Sequence, residues 1–167
     1  MIKAFGFDID VKTGKVKYDE DKVRYDKIII CADADVDGAH IQSLFYTFVW
    51  SFVPQLIENG HIYTTVPPLY KITIGKEYKY LKDDDALARF RHDNASKKYT
   101  VNRMKGLGEM DAEELGETIV DAHNRNIKQV TVSDIAKANE LFEHLMGSSA
   151  DLRKKYIVEH AGEVEII

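Results

Sequence analysis

The sequence predicts an α/β fold, in which a parallel sheet is flanked by helices and followed by a mostly helical tail. Three observations predict it. Strand-like and helix-like segments alternate through the first half of the 167 residues. The first apolar strand, residues 27–32, does not alternate with polar residues, as expected of a central strand covered on both faces. Apolar residues at helical spacing follow it, which indicates a crossover to a second parallel strand.

The opening residues 1–24 are charged and have a turn signal at Gly14, with too little apolar periodicity to begin a core. We therefore expect an approach segment, or a truncated start of the sheet domain. After strand 27–32, residues 40–59 predict a helix that Pro54 breaks. A second strand is expected at residues 61–66, where a Pro-Pro pair ends it.

The second half begins with a predicted hairpin around Gly75, formed by "LYKITIG" and "KEYKYLK". A short helix at 83–92 and the strand "KKYTVNRM" complete a core that we place at residues 25–104. The tail, residues 105–167, begins with "KGLGEM" and carries the strand "KQVTV". Its helices are predicted at about 111–122, 133–146 and 149–161.

Composition narrows the function classes. The net charge of −5 argues against a protein that coats nucleic acid by bulk charge, although a local basic surface aided by metal ions stays open. The single cysteine, Cys31, excludes an intramolecular disulfide and fits a reducing compartment. The start lacks a signal peptide, and no apolar run is long enough to cross a bilayer. We therefore expect a cytoplasmic protein.

Three aspartates follow the first strand without an intervening Lys or Arg: Asp33, Asp35 and Asp37. In open α/β sheets the functional crevice lies at the carboxyl ends of the strands, where this cluster falls. Two carboxylates about 4 Å apart repel by roughly 4 kcal/mol at an effective dielectric near 20, so a proton or a cation should relieve them. Oxygen ligands without a His or Cys cluster favour Mg²⁺.

Other interpretations of the aspartates stay open. Asp37 could cap the following helix while the other two are solvated loop residues. A calcium loop of the EF-hand type fails, because Leu44 stands where a bidentate Glu is required. Asp35 and Asp37 also resemble the Asp-x-Asp pair of haloacid-dehalogenase-type Mg²⁺ phosphotransferases, in which the first Asp is the nucleophile.

The second landmark is "KGLGEM" at 105–110. Gly106 and Gly108 permit close approach of backbone to a ligand, and Lys105 offers a positive charge suited to a phosphate. A glycine-rich connection into the following helix explains the motif as well.

Four motifs occur in a fixed order: "DADVDGAHI" at 33–41, "PPLYKI" at 67–72, "KGLGEM" at 105–110 and "ELFEHLMG" at 140–147. In this order they closely resemble the carboxyl-terminal part of the B subunit of bacterial type IIA topoisomerases, DNA gyrase and topoisomerase IV. The resemblance spans about residue 22 to the end and implies a TOPRIM domain, a Rossmann-like parallel sheet that binds Mg²⁺ for cleavage and religation of DNA.

The resemblance also implies roles for individual residues. Asp33 and Asp35 match the metal-binding carboxylates of the family, and Asp37 is the third member of the same acidic motif. His40 and Lys105 are expected to contact the DNA backbone, together with Gly106 and Gly108. Mn²⁺ is expected to substitute for Mg²⁺.

The remaining implications concern the whole enzyme. Its partners would be double-stranded DNA and the topoisomerase A subunit, which carries the nucleophilic tyrosine, and ATP would bind only through a preceding domain. The family's Glu-Gly-Asp-Ser-Ala motif does not occur in these residues, and Gly116 stands where the family usually has Trp. We therefore expect the isolated chain to be inactive.

Overall fold

The computed structural model describes residues 1–33 and 35–163. The strands are β1 (Ile28–Ile30), β2 (Ile62–Thr65), β3 (Tyr70–Ile74), β4 (Glu77–Leu81), β5 (Thr100–Arg103) and β6 (Ile127–Gln129). The α-helices are α1 (Ile2–Phe5), α2 (Val36–Phe52), α3 (Gln55–Glu58), α4 (Asp84–Asp93), α5 (Ala112–Leu115), α6 (Ile135–Met146) and α7 (Ala150–Glu159). Short 3-10 turns lie at Glu20–Lys22, Leu107–Glu109 and Ala161–Glu163, and a π-helical turn lies at Gly116–Val120.

The first sheet has the strand order β1-β2-β6. β1 and β2 are parallel and are connected through α2, which confirms the predicted parallel α/β arrangement. β6 comes from the predicted tail, and it pairs antiparallel with β2, with Lys128 opposite Thr64. The sheet is therefore mixed, and the tail contributes a strand to it.

The main core packs against this sheet, and α2 supplies much of it. Val49, Val53, Leu56 and Ile62 are each at most 1% exposed. The ring of Trp50 stacks on Phe142 of α6, with the centroids 5.6 Å apart, and its indole N–H donates to Asn139 Oδ1 at 2.9 Å. A buried indole N–H needs such a partner, so this contact anchors the tail to the core.

The opening segment also contributes to this core, although its sequence shows too little apolar periodicity to begin one. Ile2, Phe5 and Phe7 are 5%, 7% and 2% exposed and pack with the side chains of α2. Their helix, α1, has only four residues, so the sequence shows no periodicity there. The predicted turn at Gly14 is present beside a bridge between Ile9 and Val16.

The second sheet has the order β4-β3-β5 and is antiparallel throughout. The predicted hairpin turns at Gly75, whose φ of 62° lies in the left-handed region that glycine tolerates. One face of this sheet packs on α4 and forms a second core. We call residues 69–104 the hairpin lobe; a bond from the Met104 N–H to the Leu69 carbonyl, 2.9 Å long, closes its base.

The rest of the tail is mostly helical, as predicted. α5 begins with a capping box, in which the Asp111 side chain accepts from the Glu114 N–H and the Glu114 side chain accepts from the Asp111 N–H. α6 and α7 follow, separated by Gly147. In the residues that the structure describes, every helix is too short or too polar to cross a membrane.

Candidate functional site

The carboxylate of Asp33 lies at the carboxyl end of β1, half-buried against the "KGLGEM" loop. Its Oδ1 accepts a hydrogen bond from the Leu107 backbone N–H at 2.6 Å. A Cβ added at Gly106 would lie 3.0 Å from its Oδ2, so glycine leaves this carboxylate room. Two motifs separated by 74 positions in the sequence therefore meet at one side chain.

We call the segment that carries Asp33 and Asp35 the acidic loop, and the first turn of α2 closes its other side. Asp35 is the N-cap of α2, and its Oδ1 accepts from the Gly38 N–H at 2.7 Å. A Cβ at Gly38 would lie 2.1 Å from the Asp33 carbonyl oxygen, which no side chain tolerates. The helix therefore rests directly on the backbone of Asp33, and one of its N-terminal N–H groups, that of Gly38, is satisfied by the Asp35 carboxylate.

The other predicted site residues lie around this contact. Asp37 is in the first turn of α2, where it is exposed, and His40 is exposed further along the helix. Lys105 is exposed, and its backbone N–H donates to Glu109 Oε2 at 3.3 Å. Nothing lies within 4 Å of a Cβ added at Gly108, so close packing does not require that glycine.

The donor set fits Mg²⁺ held by few protein ligands. In the described part of the chain, no three His, Cys, Asp or Glu side chains come together as a metal cluster. Mg²⁺ commonly needs only one or two carboxylates, because it keeps several waters and takes phosphate oxygens. Each carboxylate oxygen has two lone pairs, so Asp33 and Asp35 can accept their N–H bonds and still face a cation.

A cleft of about 270 Å³ opens beside the acidic loop. Asp33, Gln42, Thr64 and Lys82 line part of it. Sequence reasoning missed Gln42, Thr64 and Lys82, which come from three separate segments, and it missed the Leu107 N–H, because a backbone donor leaves no residue-type signal. A larger cavity, about 450 Å³, lies between β4 and residues 117–126 and is lined by none of the predicted site residues.

The hairpin lobe is docked beside the site by polar contacts to α5 and the π-helical turn. Lys71 forms a salt bridge with Glu114, and this hydrogen bond raises the pKa of the lysine. The Tyr78 hydroxyl donates to Glu117 at 2.9 Å. Burial, and then the carboxylates of Glu114 and Glu117, raise the pKa of Tyr80 to about 12.

Comparison with known proteins agrees with this geometry. The Toprim domain family model matches residues 7–67, and the family model described as DNA gyrase B subunit, carboxyl terminus, matches residues 96–158. The first match contains the acidic loop and the second contains "KGLGEM". The chain belongs to the Toprim-containing gyrase B family.

Relatives from several bacteria match most of the chain. The DNA gyrase B subunit of Thermus thermophilus is 43% identical over 99% of this chain and 26% of the relative. The gyrase B protein of Thermotoga maritima is 43% identical over 89% of the chain and 23% of its own length. The gyrase B subunit of Staphylococcus aureus is 42% identical over 96% of this chain and 24% of its own length. This gyrase B-family chain therefore spans about a quarter of the length of these relatives.

Proposed function

We propose that this chain is the Mg²⁺- and DNA-binding part of a type IIA DNA topoisomerase, which supports double-strand cleavage and religation. The observation that carries the proposal is the contact between Asp33 and the Leu107 N–H, because it joins the two motifs of the family at one carboxylate. The Toprim and gyrase B matches on either side of this contact support it.

Asp33 and Asp35 would hold the metal, with Asp37 acting through water. A Mg²⁺ ion bound there would polarise the scissile phosphate and stabilise the oxyanion that leaves or attacks the phosphorus. The Leu107 N–H fixes the orientation of the Asp33 carboxylate, and Gly106 keeps the space beside it open. Lys105 and His40, both exposed, would bind neighbouring phosphates of the DNA backbone.

The remaining roles belong to the whole enzyme. The general acid or base glutamate, the A-subunit tyrosine and the ATP-binding domain would come from other segments and the partner subunit. Mn²⁺ would replace Mg²⁺, since it also prefers oxygen ligands. We also propose that the protein is cytoplasmic and associated with the nucleoid, which fits the bacterial relatives.

The phosphotransferase alternative is not favoured. It makes Asp35 the nucleophile, yet the Oδ1 of Asp35 accepts the capping bond from Gly38, and Asp37 lies within the first turn of α2. The family matches point to the topoisomerase on the same residues.

The test uses the intact protein that contains this chain, assembled with its A subunit. Asp33→Asn and Asp35→Asn should each lower Mg²⁺-dependent DNA cleavage by about 10²–10³-fold, the usual loss of a charge-stabilising group. Asp151→Asn, at the exposed start of α7, is the matched control and should leave cleavage unchanged. Full cleavage by the Asp33 variant would contradict the proposal, and so would DNA relaxation by the isolated 167-residue chain.

A further inference from the structure

Charge is distributed unevenly along the chain. The hairpin lobe, residues 69–104, contains nine Lys and Arg residues and five Asp and Glu residues, a net charge of +4. The rest of the chain carries −9, so the whole is acidic while this one unit is basic. Because the Debye length is about 10 Å at 0.1 M salt, an anionic partner would sense the charge of the lobe locally.

Three of the five acidic residues of the lobe have a hydrogen-bonding or ionic partner, whereas most of its basic residues have none in the described residues. Asp83 caps α4, Asp84 accepts from the Tyr70 hydroxyl, and Asp93 pairs with His92. Seven of the nine basic residues are exposed and form no salt bridge with any residue of the described ranges 1–33 and 35–163: Lys76, Lys79, Arg89, Arg91, Lys97, Lys98 and Arg103. Glu77, next to Lys76, and Asp85 are also exposed and form no salt bridge within these ranges, so the unpaired charge that faces solvent is partly offset but stays positive.

Three of these lysines lie at one end of the lobe. Lys76 follows Gly75 in the hairpin turn, and the pairing of Thr73 with Thr100 brings the start of β5 beside that turn. A shallow cleft there is lined by Gly75 and Lys98, among others, and Lys97 precedes Lys98. We call Lys76, Lys97 and Lys98 the turn end.

The turn end lies away from the acidic loop. β5 runs from the turn end toward Lys105 and the loop, and β3 rises about 13 Å between its first and last residues at about 3.3 Å per residue. Phosphates on one DNA strand are about 3.4 Å apart along the axis, so this length corresponds to about four base pairs.

We propose that the turn end is a second DNA-binding surface, which holds the phosphate backbone of duplex DNA several base pairs from the acidic loop. The choice of DNA as the anionic partner rests on the proposed function. Three lysines without pairing carboxylates in the described residues would release counterions on binding, and they would position the duplex without reading its sequence.

The test measures the affinity of the 167-residue chain for a short labelled DNA duplex by fluorescence anisotropy. EDTA is present, so the result does not depend on the metal site. The variant reverses the three turn-end charges: Lys76→Glu, Lys97→Glu and Lys98→Glu. The control reverses three exposed lysines that also lack salt bridges in the described residues: Lys12→Glu, Lys15→Glu and Lys17→Glu. Both variants have the same net charge.

The turn-end variant should bind the duplex at least about tenfold more weakly, and its slope of log affinity against log salt should fall by about 2–3 between about 50 and 200 mM salt. The control should retain the original slope. Equal losses in both variants, no loss in either, or no duplex binding by the unmodified chain would overturn the proposal. Metal-dependent cleavage by the assembled enzyme with the Asp33 variants tests the proposed function separately, so the failure of one proposal can be told from the failure of the other.

Discussion

The acidic loop is negatively charged and held by packed backbone atoms, whereas the turn end of the hairpin lobe is positively charged and exposed. The Asp33 carboxylate accepts a hydrogen bond from a backbone N–H and packs beside a glycine. The first turn of α2 rests on the backbone carbonyl oxygen of Asp33. The lysines of the turn end are exposed and form no salt bridge with a described residue. The geometry of the acidic loop therefore depends on packing around the first sheet, whereas binding at the turn end would depend on the charge of its lysines.

This difference predicts how substitutions act. Changes under the acidic loop should lower the stability of the fold and thereby disturb the site, because the site is assembled from backbone atoms of packed elements. Changes at the turn end should leave the fold intact and alter binding alone. The effect on stability should therefore be largest in the first core and smallest at exposed side chains.

Leu56→Ala should have the largest effect on stability. Leu56 is fully buried under the first sheet, so its loss should lower the free energy of unfolding by about 2–5 kcal/mol. Leu141→Ala, at a residue of α6 that is 42% exposed, should cost less than about 1 kcal/mol. Urea denaturation of both variants measures the contrast, and equal losses would show that Leu56 is not packed in the first core as described.

Gly38→Ala should have the next largest effect on stability. Its Cβ would collide with the Asp33 carbonyl oxygen, so the free energy of unfolding should fall by about 1–3 kcal/mol. Gly116→Ala is the matched control, since that residue has a helical φ of −56° and open space around its Cβ. It should raise the free energy of unfolding by about 0.5–1 kcal/mol. In urea denaturation, the two substitutions should change the free energy of unfolding in opposite directions. A Gly38→Ala variant as stable as the unmodified chain would contradict the close packing of α2 on the Asp33 backbone.

Lys71 and Glu114 should couple the hairpin lobe to α5. Their side chains are 25% and 14% exposed, so a double-mutant cycle with Lys71→Met and Glu114→Gln should give a coupling of about 1 kcal/mol. The exposed pair Lys155 and Glu159, at 72% and 55%, should give about 0.3–0.5 kcal/mol. A coupling no larger than that of the exposed pair would show that this contact does not hold the lobe in place.

Substitution of Glu20 should have the smallest effect on stability, and this effect should depend on pH. Hydrogen bonds from Tyr18, then Asn59 and His61, hold the pKa of Glu20 below its ordinary value of 4.5. The stability that Glu20 contributes is therefore present above pH 4.5 and is lost as the pH falls through the lower pKa of the folded state. Thermal melts of Glu20→Gln should differ from those of the unmodified chain at about pH 7 and converge near about pH 3. A difference that grows in acid would contradict this sign.

The sequence was informative where signals are local. The positions of β1, α2, the hairpin at Gly75 and the helices of the tail follow from periodicity, turn residues and caps. It was uninformative for long-range pairing: β6 joins the first sheet, and a four-residue helix fills its core with Ile2 and Phe5. Short elements carry little periodicity, and their partners are set by packing alone.

The candidate site divides in the same way. The residue types and spacing of Asp33, Asp35 and "KGLGEM" are visible in the sequence, and family resemblance gives them roles. The Leu107 N–H and Lys82 were not predictable, because a backbone donor has no residue signature and Lys82 approaches from another sheet. The domain boundaries at residues 24 and 104 remain a prediction.

The measurement that tests the central claim most directly is paramagnetic broadening of the amide NMR signals by Mn²⁺. In the ¹⁵N-labelled chain, substoichiometric Mn²⁺ should first broaden the amides of Asp33, Asp35 and Leu107, and Asp33→Ala should abolish this broadening while Asp151→Ala leaves it unchanged. These amides should respond together because Asp33 accepts from the Leu107 N–H. Broadening centred elsewhere, or an Asp33→Ala variant that behaves like the unmodified chain, would contradict a metal site at the acidic loop.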